Sequence, residues 1–169
     1  QTRWRGLVGV PPTNASFQAF VSAMRIRAGE DRTRDWLLAL KANDVRFYTS
    51  NARIVSAVAS REIQVGFVNH YYVYQHKELR PGDPVANHFL ATKDPGALIN
   101  VAGIGIVTGS SKTRPAVRLI NYLLSRGMQR FFSTSPGRAE YPLVPGLRPR
   151  RGLPTLARLE GARISLERL

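Results

Sequence analysis

Cysteine is absent from the sequence. That excludes a disulfide framework, a thiolate metal site and a cysteine nucleophile, and it leaves the redox compartment undecided. Long apolar runs are missing too, since no stretch approaches the roughly eighteen residues a membrane-spanning helix needs. Acidic residues are few: 11 Asp and Glu stand against 25 Lys and Arg, for a formal charge of +14. No Gly-rich phosphate loop and no HExxH occurs, and His70, His76 and His88 lack the spacing of a metal site or a nucleophilic triad. These absences argue against an enzyme. The opening "QTRWRGLVGVPP" has no initiator Met and no charged segment leading into an apolar one, so no targeting signal is visible, and the chain reads as beginning partway into a protein.

What is present fits one ordinary domain or a large piece of a two-lobed protein. The chain has 169 residues, 43% of them hydrophobic and 21% charged, the proportions of a soluble globular chain. Its basic surplus is mostly arginine and favours anionic ligands, membrane surfaces or nucleic acid. The arginines are scattered, however, and the one local cluster, "LRPRRG" at 147–152, is short. A solvated basic face is the plainer reading. A basic nucleic-acid-binding domain is the alternative of a different class, and it would need clustered arginine with aromatic platforms or a reading helix; neither is seen.

Along the chain, strands and helices alternate. "RGLVGVP" predicts a buried strand of about five residues ended by Pro11 and Pro12. Phe17, Phe20, Val21 and Met24 then fall on one face of a helix that starts near Ser16, is capped by Asn14 or Ser16, and stops near Gly29. A helix over about 32–42 is expected to turn Trp36, Leu37 and Leu40 inward. "VRFYT" supplies a second strand, and a helix follows with Ile54, Val55 and Val58 as its buried stripe. "IQVGFVN" is a third strand, and a short helix runs from Tyr71 to about Leu79 before the turn "RPGDP". "ANHFLA" at 86–91 and "LINVAGIGIV" at 98–107 are strand-like around the turn "KDPGA". "RPAVRLINYLLS" is an amphipathic helix with Val117, Ile120, Leu123 and Leu124 inward, and "MQRFFST" extends or follows it. From Pro136 a Pro- and Gly-rich tail wraps the surface, with one helical stretch near "LPTLARLEG". Asp83 and Asp94 sit in turn-like contexts and read as structural.

Alternation of this kind gives an α/β fold, a mostly parallel sheet with helices on both faces. The carboxyl ends of parallel strands share one edge, and ligands bind in the crevice outside it. Three junctions meet that edge, "PPTNASF", "YTSNARI" and "VNHYY", and they bring Asn14, Asn51 and Asn69 with them. The third also brings adjacent tyrosines. Neighbouring residues on a helix diverge by about 100 degrees, so Tyr71 and Tyr72 do not both serve one core. At a strand-to-helix junction both can lean into the crevice, near the positive end of the helix dipole. A free phenol ionises near about pH 10, and a hard cation such as Fe(III) is the usual agent that brings phenolate into the neutral range. The plainer alternative is that one ring packs while the other is exposed, and that His70 caps or packs.

The stretches "PTNASFQAF", "GFVNHYY", "DPGALINVAGIGIV" and "EYPLVPG", in this order, resemble the ferric-ion-binding periplasmic proteins, the solute receptors of bacterial iron(III) ABC importers. The resemblance runs from Trp4 to Leu169 and matches the C-terminal portion of such a receptor. It implies a type II periplasmic-binding-protein-like fold with an incomplete two-lobed architecture. Residues 1–97 would be a second-lobe segment carrying the tyrosine pair, 98–135 would return to a largely missing first lobe, and 136–169 would pack back on the second. It further implies Tyr71 and Tyr72 as Fe(III) ligands. Asn14, Ala15, Ser16, Asn51 and Asn69 would hold a synergistic anion, phosphate or carbonate. Some members supply a further tyrosine from the first junction, where this chain has Phe17, and that departure favours the anion-assisted arrangement. Tyr141 in "EYPLVPG" matches a family motif and reads as structural. The partners implied are the metal ion and a membrane permease, with no nucleic acid. The protein would act as a monomer in the periplasm or outside the cytoplasm, free or anchored through an upstream signal. A receptor of the same fold for another solute, such as a phosphonate, polyamine or thiamine-like molecule, is the alternative.

Overall fold

The computed structural model describes residues 2–91, 94 and 96–159. Its centre is a three-stranded sheet of β1 (Val8–Val10), β2 (Arg46–Phe47) and β3 (Val65–Gly66) in the order β2-β1-β3, with both pairings parallel. The register sets Gly9 opposite Arg46 on one side and opposite Gly66 on the other. β1 is three residues long rather than the expected five, because Pro11 follows Val10 directly and cannot donate to a ladder. Two helices, α1 (Ala15–Ala28) and α2 (Glu30–Ala42), connect β1 to β2, and α3 (Asn51–Ala59) connects β2 to β3. These crossovers run in opposite directions across the sheet, and right-handed connection puts them on opposite faces.

The local reasons for the helices are visible at their ends. The N–H groups of Ser16 and Phe17 donate to Asn14 Oδ1 at 3.0 and 3.3 Å, capping α1, and Gly29 closes it at φ 92°. Ser50 caps α3 by accepting from the Arg53 N–H at 3.3 Å. α4 (Tyr71–Leu79) has no such cap: His70 stands before it in helical conformation and its side chain bonds elsewhere.

The core sits between α3 and the sheet. Ile54, Ala57 and Ile63 form one buried cluster with Tyr48, Val58 and Val68 against it, and Val55, Val73 and Val85 form a second that Tyr72 packs on. α3 approaches β3 so closely that a Cβ at Gly66 would strike Ile54 Cγ2, so this strand position tolerates only glycine. Asp83 Oδ2 lies 2.7 Å from His76 Nε2 and pins the turn that ends α4, while Asp94 Oδ1 accepts from the Gly96 N–H at 2.7 Å. Both aspartates are structural, as their contexts predict.

Residues beyond 85 depart from expectation. Residues 86–91 and 98–107 form no strand, because β1 is already paired on both sides and no edge of the described sheet receives them. α5 (Thr113–Leu123) forms, followed by a separate α6 (Arg126–Thr134), yet none of the α5 residues is buried. Val117 is 42% and Leu124 46% exposed where an inward stripe was expected, since no described element covers that face. In α2 only Thr33 is buried, and Leu37, expected inward, is 37% exposed. α7 (Leu156–Leu159) is the predicted tail helix; the remainder of that stretch and of the tail lies outside the described residues.

Candidate functional site

The three loops that leave the carboxyl edge of the sheet enclose one cleft of about 470 Å³. Asn14 and Ser16 enter from the start of α1, Asn51 from the start of α3, and Asn69, His70 and Tyr71 from the start of α4; all of them line it. The asparagine-bearing junctions therefore converge as the alternation predicts. Ala15 is the exposed first residue of α1 and does not line the cleft, and Tyr72 stands behind Tyr71 with its ring on the valine cluster.

Asn69 links two of the junctions. Its Nδ2 donates to Ser16 Oγ at 3.1 Å and to the Tyr71 hydroxyl at 3.3 Å. The Tyr71 and Tyr72 rings lie 4.7 Å apart at a 32° tilt, so divergence along the helix does not separate them. Burial, and then the neighbouring Tyr72 phenol, push the Tyr71 phenol up to about 12, against which the Asn69 donor works. Left alone, Tyr71 is a neutral phenol at physiological pH. A cation that touched it would have to displace the proton, and only a strong Lewis acid does so.

Asn51 is 2% exposed and its Nδ2 has no hydrogen-bond partner among the described residues. An orphaned buried donor costs about 1–3 kcal/mol, so its presence at the cleft wall calls for an acceptor. Asn14 contributes differently, because its Oδ1 is committed to the α1 cap. No cluster of three His, Asp or Glu side chains able to hold a metal exists among the described residues, and the side-chain oxygens lining the cleft include those of asparagines, Ser16 and Tyr71.

Two contacts were not foreseen. His70 Nε2 reaches the Ala139 carbonyl at 2.7 Å, and Asn87 Nδ2 donates to the His70 carbonyl at 2.9 Å. Neither has a local sequence signal, as their partners lie 69 and 17 residues away. Burial pushes the His70 imidazole below its ordinary value. Tyr141 donates to the Pro154 carbonyl at 2.8 Å, packs its ring 5.4 Å from that of His70 and also lines the cleft. Burial raises its phenol to about 12.

Known proteins resemble this chain both in sequence and in structure. Residues 1–151 match the family model described as bacterial extracellular solute-binding protein. The major ferric iron-binding protein of Neisseria meningitidis is 30% identical over 165 residues, which is 96% of this chain and 49% of that protein. The Fe(3+)-binding periplasmic protein of Serratia marcescens is 28% identical over 134 residues, 78% of this chain and 39% of that one. Among solved structures, iron-bound HitA from Pseudomonas aeruginosa superposes with a TM-score of 0.89 at 28% identity, covering 99% of this chain and 54% of that chain. The chain thus spans about half the length of the curated relatives it matches.

Proposed function

The chain belongs to the family of bacterial extracellular solute-binding proteins, and from that membership we propose that it captures Fe(III) with the phenolates of Tyr71 and Tyr72 and a synergistic anion. Fe(III) is a hard cation that prefers anionic oxygen, and these phenols stand together at the start of a helix, beside a cleft. The anion, phosphate or carbonate, accepts from Asn51 Nδ2 and sits among Asn69, Ser16 and the Asn14–Ala15 turn. The observation that carries this reading is the meeting, at one cleft, of the Tyr71 phenol, with the Tyr72 ring 4.7 Å from it, and a buried amide donor without a partner among the described residues.

The relatives named for ferric iron support the cargo, and their names are those of binding proteins rather than enzymes. In this account the protein works as a monomer outside the cytoplasm and passes iron to a membrane ABC permease without chemical change. Residues 98–135 dock on a first lobe that completes the coordination sphere, and the described part of the tail, 136–159, returns to the second. The exposed Val101, Ile104 and Leu119 support a covering partner for the first of these segments.

Titration with Fe(III) presented as its citrate complex, with and without phosphate, tests the reading. A visible phenolate-to-iron charge-transfer band should appear, strengthen with phosphate, weaken in Tyr71→Phe or Tyr72→Phe, and disappear when both are replaced. An organic solute seated in the cleft with no metal at the tyrosines would replace this reading with the alternative receptor.

A further inference from the structure

α4 is a nine-residue helix whose first turn has no side-chain cap, although it carries the tyrosine pair. Short helices without caps fray, so something else must hold its start. On one face of α4 lies the segment that follows α6. The His70 ring bonds Ala139 O through Nε2 at 2.7 Å, and since a carbonyl only accepts, Nε2 carries the proton. One turn on, the Arg150 guanidinium sits 5.4 Å over the Tyr74 ring, and Gly137 lies against Gln75. Residues 70 and 74 are four apart, so these contacts fall on one side of the helix. The segment is itself firmly held: Ala139 is fully buried, Arg150 Nη1 donates to the Ser135 and Arg138 carbonyls at 3.0 and 2.9 Å, and the Glu140 N–H donates to Phe132 O at 3.2 Å.

The imidazole fixed in this way stands next to Tyr71, ring centroids 5.8 Å apart and nearly perpendicular, with Phe89 at 6.0 Å on another side. We propose that His70 is a positioning residue for the Tyr71 phenol: its Nε2–H, anchored on the Ala139 carbonyl, ties the start of α4 to the buried segment after α6 and holds the Tyr71 ring at the cleft. The inference rests on the iron reading for its consequence in binding, but the anchoring itself does not depend on iron.

Two substitutions separate the anchor from ring shape. His70→Phe keeps an aromatic ring and removes the donor, whereas His70→Gln can return an N–H to the same carbonyl. In the metal-free chain, amide hydrogen exchange at Tyr72, Val73 and Tyr74 should accelerate about tenfold in His70→Phe with α1 unchanged, the scale of one buried hydrogen bond. His70→Gln should stay within about threefold of the parent. In the Fe(III)–citrate titration, His70→Phe should keep a charge-transfer band, shifted in position, with affinity reduced about tenfold, and His70→Gln should recover both. Unchanged exchange in His70→Phe, or His70→Gln behaving no better than His70→Phe, overturns the positioning role. If the parent chain gives no band, the iron reading fails and the exchange measurement alone decides the role of His70.

Discussion

Residues 51–73 and residues 99–124 each carry an amphipathic helix with branched aliphatic side chains on one face, but their surroundings differ. Ile54 and Val55 are sealed between α3 and its neighbours, while Val117, Leu119 and Leu124 stand about half exposed. Amphipathicity states that a face needs a cover; it does not say that the cover lies in the same chain. The first region has strands and α4 to pack against and thereby gives a rigid frame for the cleft. The second has no counterpart among the described residues, in keeping with a chain that spans about half of its relatives.

The sharpest way to break this comparison is in the frame. Ile54→Ala removes a side chain with no exposed surface from the α3–β3 contact, and a loss of about 3 kcal/mol in urea unfolding is expected. At the cleft, Tyr71→Phe should weaken Fe(III) binding more than about a hundredfold, beyond what supporting residues usually contribute. Binding should also depend on pH in a definite direction. Tyr71 is protonated up to about pH 12 in the free chain and must lose that proton to bind as phenolate. At fixed free Fe(III), each unit of acidification therefore costs about tenfold in affinity for this phenol, measurable by competition with citrate between mildly acidic and neutral pH. A flat profile would mean that Tyr71 does not ionise on binding. Asn51→Leu removes the orphaned donor, so stability should hold or rise by up to about 1 kcal/mol while the effect of phosphate on iron binding disappears. Smallest of all, Leu119→Ala should change stability by less than about 0.5 kcal/mol, as at other exposed positions. A larger loss would show that α5 is covered.

The site side of the molecule is largely legible because its signals are local. Asn14 announces the α1 cap, Gly29 its end, and the turn after Leu79 the end of α4, while strand-to-helix alternation alone brings Asn14, Asn51 and Asn69 to one edge. Periodicity succeeds for Ile54 and Val55 because their partners are in the chain. It misleads for Val117 and Leu124, and for the β-like runs at 86–91 and 98–107, because pairing and burial depend on surfaces that composition does not describe. The His70 anchor is unreadable for a related reason: a hydrogen bond to a backbone carbonyl 69 residues away leaves no residue-type signature.

The central claim is that Tyr71 and Tyr72 bind iron as phenolates. Resonance Raman spectroscopy of the Fe(III)-loaded chain, excited in the visible band, reads this directly. Tyrosinate ring modes should be present in the parent, weaker in Tyr72→Phe, and absent when both tyrosines are phenylalanine. Bound iron without tyrosinate modes, or modes that survive the double substitution, would contradict the account.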